Sequence, residues 1–170
     1  DLVSGIYSDA LSDLTANVPG ETLEVARSYR DGIWQFERLR EPVKMVRDSL
    51  GVLTSIERLF EKFLQSGAEF VKIGSSSERF VPIRDPANIL IGYRYEHRAT
   101  KLWEDYDLDG HPTAFGLGFD GERRLQARFV YRAGTHVLTE VRNQLEQVVL
   151  KFEYDSANRV TRVNGQGGAH

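Results

Sequence analysis

The sequence has no cysteine, only five prolines and no apolar run near the roughly 18 residues that span a bilayer. Without cysteine the chain has no disulfide, no catalytic thiolate and no thiolate-bound zinc. The formal net charge of -3 provides no overall basic field that would attract nucleic acid or an anionic membrane. No signal peptide is evident either. We therefore expect no nucleic-acid partner and no membrane span.

The 170 residues are enough for one ordinary domain with a core, and no linker or composition break divides them. We predict a single β domain over residues 1–170. The chain begins at Asp1 rather than at methionine, which is compatible with a removed leader and with a piece of a longer chain. Both readings are compatible with export, so we expect an extracellular or cell-surface location in a bacterium.

Three tyrosines, Tyr106, Tyr131 and Tyr154, open related segments at intervals of 25 and 23 residues. Each segment continues with a turn built on aspartate, asparagine or glycine, and then with a strand of alternating valine, leucine and threonine. This order is typical of a β-hairpin, and a near-constant interval of this length indicates a repeat. Because one such unit cannot bury its apolar face alone, the pattern favours a scaffold of neighbouring hairpins.

Alternating polar and apolar residues predict more strands outside the repeats. Thr22–Tyr29 and Ile33–Leu39 flank an Asp31-Gly32 dipeptide, which is a strong hairpin signal. Similar alternation returns from Glu69 onward, with turns every 8 to 12 residues or so. The expected fold class is mainly β: an antiparallel ribbon of hairpins that forms an open, coiled sheet.

Residues 43–64 are ambiguous, because their apolar side chains fit two periodicities. Val43, Val46 and Leu50 recur at helical spacing, and Ser55–Leu64 is rich in helix-favouring residues. The same region can also be divided into short strands around Gly51. One short helix within 43–64 and a set of short strands are both open at this stage.

The most specific motif is Tyr154-Asp155 followed by Asn158-Arg159. It resembles the YD repeat of the Rhs family, whose pattern is Tyr-Asp, two variable residues and then Gly-Arg. Asn158 stands where the family has glycine, and asparagine tolerates the same left-handed backbone. Two other copies keep part of the motif, one with Tyr106, Asp107 and Gly110 and one with Tyr131 and Gly134.

The beginning of the chain carries a second resemblance to the family, to the region that opens an Rhs shell. It comprises Asp13-Leu14, Val18-Pro19-Gly20, Arg27-Ser28-Tyr29 and Trp34. Residues 1–40 therefore form an Rhs-opening-like region, and residues 93–165 hold the YD-type repeats. The resemblance implies a long antiparallel ribbon like those of Rhs toxin shells, the teneurin YD shell and toxin-complex shells. A chain of 170 residues is too short to enclose a toxin alone.

No combination of polar residues in the sequence forms a recognisable catalytic or metal motif. The acidic run Glu104, Asp105, Asp107 and Asp109 lacks the loop pattern of a calcium site. The histidines have no paired spacing for zinc. Glu140 and Glu146 are a carboxylate pair that a glycosidase could use, but surface pairing with Arg142 is the preferred reading. We predict no catalytic residue, no metal and no cofactor.

Aromatic residues recur along the predicted strands and could form a platform for a surface glycan, although core positions are the favoured interpretation. They are Trp34, Phe36, Tyr93, Tyr95, Trp103, Phe129, Tyr131, Phe152 and Tyr154. A carbohydrate-binding or glycan-processing β domain is therefore a minor alternative.

The preferred function is structural and non-enzymatic: an exported subunit that assembles with copies of itself by strand addition into an extracellular filament or similar homopolymer. An open ribbon leaves unpaired backbone groups at its edges, and a contact that does not close propagates as a fibre. The leading alternative is a component of an Rhs-type toxin shell or an adhesin, with the remainder of the shell as partner. The residues expected to be exchanged are Leu2, Val3, Ile6 and Tyr7 at one end, and Gly165, Gly167 and Gly168 at the other.

Overall fold

The computed structural model describes residues 9–30, 33–36, 39–75, 77–165 and 168–169. These residues form an almost purely β structure, as the sequence predicts. The strands are β1 (Asp9–Val18), β2 (Glu21–Arg30), β3 (Ile33–Phe36), β4 (Lys44–Arg47), β5 (Leu53–Arg58), β6 (Glu61–Ser66), β7 (Glu69–Lys72), β8 (Glu78–Arg84), β9 (Leu90–His97), β10 (Leu102–Tyr106), β11 (Pro112–Leu117), β12 (Arg124–Tyr131), β13 (Leu138–Asn143), β14 (Val148–Tyr154), β15 (Val160–Gly165) and β16 (Gly168–Ala169). Within the described ranges the one helical element is a single 3-10 turn at Asp120–Glu122, and no helix is long and apolar enough to cross a membrane.

Strand order follows chain order. β1, β2 and β3 form a three-stranded sheet, and β4 to β16 form a sheet in which each strand pairs with its sequence neighbours. The registers that the structure describes are antiparallel. This is an open meander, and tight turns alternate between the two ends of its strands because each strand reverses the direction of the last.

The chain divides into two compact units, one of residues 1–40 and 129–170 and the other of residues 41–128. In the first unit, β1 contacts β14 and β15. Val25 on β2 and Leu150 on β14 are almost fully buried, whereas Glu24 is exposed. This alternation is what a strand with one buried face requires. Gly165 on β15 lies so close to Leu14 that an added Cβ would be 2.9 Å from its Cδ2 atom.

The second unit has a core of aromatic and aliphatic side chains on one face of its sheet. Phe63 and Phe80 meet edge to face with ring centroids 4.9 Å apart, and Tyr95 lies against both. The core residues are Val43, Leu53, Ile56, Phe63, Phe70, Phe80, Tyr93, Tyr95 and Tyr106. Edge-to-face packing of this kind adds to the stabilisation from apolar burial.

Residues 43–64 form strands β4, β5 and β6, so the helical alternative for this segment is wrong. The alternation of Ile56 with Glu57 and of Lys62 with Phe63 places one side chain of each pair in the core and leaves the other more exposed. Cross-strand pairing of Ile56 with Phe63 buries both completely. Tertiary pairing therefore overrides the helical propensity of this stretch.

Candidate assembly edge

Five turns in the described part of the chain share one hydrogen-bond pattern, and two of them follow the Tyr-Asp pairs found in the sequence. In each, an aspartate or asparagine begins the turn, its backbone N–H donates to the carbonyl four residues later, and the fourth residue has positive φ. The side-chain Oδ1 of the first residue also accepts a backbone N–H from the turn, as in an Asx turn. The turns begin at Asp48, Asp85, Asp107, Asn143 and Asp155.

The turn at Asp155 shows the pattern in full. Asp155 Oδ1 accepts the N–H of Ala157 and the N–H of Arg159, each at 2.9 Å, while Asn158 has a φ of 57°. Arg159 Nε donates to Asp155 Oδ2 at 2.7 Å. These hydrogen bonds from Arg159, first from its backbone and then from its side chain, lower the pKa of Asp155 below its ordinary value. The Asp and Arg of the motif therefore hold the same turn closed.

The turn at Asp107 has the same geometry without the arginine. Asp107 Oδ1 accepts the N–H of Asp109 at 3.0 Å and the N–H of His111 at 2.8 Å. Gly110 occupies the fourth position with a φ of 90°, which favours glycine. His111 follows Gly110 in the sequence, where the Tyr154 copy has Arg159, and it contributes its backbone N–H to the turn.

The copy at Tyr131 differs, because it lacks the aspartate. Thr135 supplies the missing oxygen: its hydroxyl accepts the N–H of Val137 at 3.2 Å and donates to the carbonyl of Arg132 at 2.9 Å. Gly134 has a φ of 70° within this longer turn. All three repeats therefore contain a hairpin turn, but an aspartate carboxylate stabilises two of these turns and a threonine hydroxyl stabilises the third.

Contacts join the second and third repeats within the first unit. The Arg132 guanidinium lies 5.7 Å from the centre of the Tyr154 ring, and its Nη1 donates to Asn158 Oδ1 at 2.9 Å. The Tyr154 hydroxyl donates to the carbonyl of Leu138. Burial raises the pKa of Tyr154, which keeps this hydroxyl a donor. The motif tyrosine thus bridges β14 to the start of β13.

The outer edge of β15 is largely open in the described residues. β14 covers one side of β15 from Val160 to Gly165, but β16 covers the other side only at Asn164 and Gly165. Gly165 and Gly168 face each other across a two-residue connection, where the residues of a hairpin exchange backbone hydrogen bonds. Alternation back from Gly165 turns the N–H of Val163 outward and that of Arg162 toward β14. At the other end of β15, the carbonyl of Arg159 accepts the N–H of Asp155, so the N–H of the next residue, Val160, also points outward. Thr161 is the extra residue of a bulge opposite Glu153.

The edge formed by β4 in the other unit is protected. Val43, just before β4, donates its N–H to the carbonyl of Gly110 at 2.9 Å. Arg47 reaches the carbonyls of Gly51 and Leu108, and Lys44 pairs with Glu57 at 3.1 Å. Charged side chains and covering turns are how proteins prevent strand addition at an edge. The described chain therefore has one open and one blocked edge in its larger sheet.

The predicted exchange segments are described only in part. Leu2, Val3, Ile6 and Tyr7 lie outside the described residues, as does Gly167. Gly165 and Gly168 pair with each other in the β15–β16 hairpin of the same chain. The glycine-rich end therefore begins as a strand on its own sheet edge, and its donation to a second molecule remains a prediction.

The acidic run at residues 104–109 does not converge on one site, because its members serve different contacts. Glu104 accepts hydrogen bonds from Arg58 at 2.7 Å and from the Tyr106 hydroxyl at 2.8 Å. Asp105, one residue on and therefore on the opposite face, forms a two-point pair with Arg94. Alternation along β10 separates the carboxylates, as expected for a strand.

The second carboxylate pair is held by one arginine on the surface, as the sequence predicts. Arg142 donates to Glu140 at 2.9 and 2.7 Å, and Glu146 lies 4.0 Å away. Both carboxylates therefore act as counter-ions to Arg142 rather than facing each other across a cleft.

The aromatic residues proposed as a glycan platform mostly lie inside the fold. Tyr93, Tyr95, Trp103, Phe129 and Phe152 are buried, and Tyr131 and Tyr154 are half-buried. The side chains of Trp34 and Phe36 lie outside the described part. The favoured interpretation, core and cross-strand partners, agrees with this placement.

No protein-family model matches the chain, and no curated protein sequence matches it. The resemblance to Rhs repeats is therefore a prediction that rests on the motifs alone.

The tyrosine repeat does not indicate the Asx turns at Asp48, Asp85 and Asn143, because no tyrosine precedes them. The turn at Asp85 is nevertheless predicted by the residues Arg84-Asp85-Pro86-Ala87-Asn88, and the structure confirms it. A spacing of Asp or Asn followed three residues later by Gly or Asn would have found Asp48-Gly51 and Asp85-Asn88. The turn at Asn143 does not fit this spacing, because its positive-φ residue is Glu146, with a φ of 59°.

Proposed function

We propose that this chain is a non-enzymatic structural subunit whose β15 edge is extended by a strand from another copy, giving an exported filament or similar homopolymer. The observation that carries the proposal is the open edge of β15 at Val160–Val163. An edge of unpaired N–H and C=O groups is a template for strand addition, and each added residue pair satisfies backbone groups that water otherwise solvates.

The asymmetry of the larger sheet supports growth in one direction. β4 is covered and charged, whereas β15 ends beside a strand of only two residues. Two copies joined edge to edge through β15 would form a closed pair, but a donated terminal segment pairing with β15 of the next copy would propagate. The glycine-rich end and residues 2–7 are the two donors under this proposal.

The competing function is a component of a longer Rhs-type shell or of an adhesin. One observation favours it: the strands pair in chain order, so further hairpins can be appended beside β15. Under this alternative the same edge is completed by more polypeptide of the shell rather than by a second copy. The isolated chain would then remain monomeric at all concentrations.

Two proline variants separate edge pairing from folding. Val160→Pro removes an outward N–H at the first residue of β15, where proline is tolerated, while Arg162→Pro removes an N–H that faces β14. We expect wild type to form higher-order species at high concentration in sedimentation velocity and negative-stain microscopy. Val160→Pro should stay folded and monomeric, whereas Arg162→Pro should unfold at lower urea.

Each outcome decides between the two functions. Wild type that stays monomeric at every concentration contradicts the homopolymer and leaves the shell component. Assembly that survives Val160→Pro contradicts the role of the β15 edge. Removal of residues 166–170, compared with removal of residues 1–8, identifies the donated segment, because only the deletion of the donor should abolish assembly.

A further inference from the structure

The turn between β5 and β6 consists of Leu59 and Phe60, and it combines strain with apolar exposure. Both residues have positive φ, 47° and 69°, and Arg58 pairs with Glu61 across them. A two-residue hairpin turn with positive φ at both positions is type I′, which favours Asn-Gly. Leu59 is 57% exposed and Phe60 is fully exposed. Phe60 therefore buries no surface in the fold, and more than half of Leu59 is exposed.

A left-handed conformation costs a residue with a Cβ about 1–2 kcal/mol, so both positions are unfavourable for leucine and phenylalanine. Most other positive-φ positions among the described residues carry glycine or asparagine, and the exceptions, Lys101 and Glu146, have charged rather than apolar side chains. Backbone strain combined with an exposed aromatic side chain is a reason to look for a ligand outside the fold.

The turns at this end of the second unit form a connected row. Alternation of turns places the β5–β6, β7–β8, β9–β10 and β11–β12 connections at the same end of the strands. Arg98 donates its N–H to the carbonyl of Ser77 at 2.7 Å, and Gly118 donates to the carbonyl of Lys101 at 2.8 Å. Ile73, 72% exposed, adds a third apolar side chain on the turn next to Phe60. We refer to this row of turns as the basic rim.

The charges of the basic rim are mostly positive. Exposed cations follow the apolar tip on successive strands and turns, whereas Glu122 is an exposed acid. The cations are Lys62, Arg98, Lys101 and Arg124. The opposite end of the same unit carries the aspartates of three Asx turns, Asp48, Asp85 and Asp107. A net charge of -3 for the whole chain therefore conceals a local separation of charge.

We propose that the basic rim docks on an anionic phospholipid surface, with Leu59, Phe60 and Ile73 inserted among the acyl chains and the cations at the headgroups. Apolar residues on one surface combined with Lys and Arg around them are the chemistry of interfacial membrane binding. Each cation near an anionic bilayer adds attraction that salt screens. The tip is convex and narrow, which suits insertion into a deformable surface. This proposal is independent of assembly through β15.

The first test is co-sedimentation of the purified chain with phosphatidylcholine vesicles that contain or lack phosphatidylserine. We expect binding to the anionic vesicles, reduced binding at high salt, and little binding to the zwitterionic vesicles. Phe60→Trp keeps an aromatic at the tip, and its fluorescence should shift to the blue when anionic vesicles are added. Absence of binding to the anionic vesicles would overturn the proposal and leave a protein partner for the tip.

The sharpest variant is the double change Leu59→Asn with Phe60→Gly, which supplies the residues that a type I′ turn prefers. Because the strain is relieved, we expect the melting temperature to rise by about 2–4 °C. Because two apolar side chains are lost, vesicle binding should fall by at least about tenfold. A variant that is both more stable and unable to bind separates the tip's function from folding.

Leu50→Asn is the matched control, since Leu50 is 86% exposed on a turn at the opposite, acidic end. It should bind anionic vesicles like wild type. Lys62→Gln combined with Lys101→Gln should weaken binding and reduce its dependence on salt. Equal vesicle binding by wild type and by the double variant Leu59→Asn with Phe60→Gly would overturn the proposal. So would an equal loss of vesicle binding in that double variant and in Leu50→Asn.

Discussion

Arg58 on β5 donates from Nη2 to Glu104 Oε2 on β10 at 2.7 Å, although four strands lie between them in the sheet order. In a flat sheet five steps of about 4.8 Å would separate these strands by about 24 Å. The sheet of the second unit must therefore curl until β5 and β10 face each other. Glu104 is only 5% exposed and Arg58 18%, so this pair lies within the curl. The same guanidinium lies 4.2 Å from the centre of the Tyr95 ring.

We expect Glu104→Gln to lower the free energy of unfolding by about 3 kcal/mol, because Arg58 would keep a buried charge without its counter-ion. In the double variant Arg58→Met with Glu104→Gln, the charge itself is gone. The loss should then be smaller than the sum of the two single losses, with a coupling of about 1 kcal/mol or more. Urea unfolding of the four proteins measures this cycle.

Lys44→Met is the control for that cycle, since Lys44 pairs with Glu57 between adjacent strands and is 73% exposed. An exposed pair of this kind contributes less than about 1 kcal/mol. Similar losses for Lys44→Met and Glu104→Gln would contradict a special role for the pair inside the curl.

Gly110 and Gly51 occupy the same position in two Asx turns but have different surroundings. A Cβ at Gly110 would lie 2.0 Å from the carbonyl oxygen of Val43, whereas a Cβ at Gly51 would meet nothing within 4 Å. Gly51→Ala should cost about 1–2 kcal/mol for its left-handed backbone alone. Gly110→Ala should cost about 3 kcal/mol or more, because the Val43 backbone must also move.

Thermal or urea unfolding of these two alanine variants gives the two losses of stability. The difference between them tests the close contact between the 107–111 turn and Val43 beside β4. Equal losses would show that the backbone conformation alone accounts for the glycine. A greater loss in Gly51→Ala would contradict the close approach altogether.

The buried tyrosines should make the fold sensitive to alkali. Burial raises the pKa of Tyr106 and Tyr95, and Tyr95 is further held neutral by its hydrogen bond to Glu78. Their unfolded pKa is about 10, so above that pH the unfolded chain loses protons that the folded chain keeps. The stabilisation is complete below about pH 10 and declines as pH rises toward the higher folded values.

We therefore expect the urea midpoint to fall as the pH is raised above about 10. Tyr106→Phe should flatten this dependence, because one of the responsible groups is removed, although the variant also loses the hydrogen bond to Glu104. The raised pKa of Lys72 acts in the same direction and is unchanged in the variant, which isolates the tyrosine contribution. A midpoint that is constant with pH would contradict the prediction.

The fold class and several turns were predictable from local patterns. Alternation in Thr22–Tyr29 predicts β2, and the Asp107 and Asp155 turns follow from side chains that accept hydrogen bonds from their own backbone. These features depend on a few adjacent residues. For the same reason the antiparallel pairing of sequence neighbours could be anticipated.

The curl of the second unit and the exposed tip could not be predicted in this way. Arg58 and Glu104 are 46 residues apart, and nothing in either neighbourhood indicates the partner. The Leu59-Phe60 turn lacks the Asn-Gly pair that a type I′ turn prefers, so the sequence gives no sign of a hairpin at this point. The pattern of residues 43–64 therefore fits a helix as well as strands, and the cross-strand pairing of Ile56 with Phe63 selects the strands. The open edge of β15 follows from where β16 ends, which depends on hydrogen bonding between strands rather than on composition.

The most direct test of the β15 edge is amide hydrogen exchange at Val160 and Val163 as the protein concentration increases. If a strand from another copy pairs with this edge, protection of these two amides should rise with concentration, while the Arg162 amide, bonded to β14, should be protected throughout. Fast exchange at Val160 and Val163 that is the same at every concentration would contradict assembly through this edge.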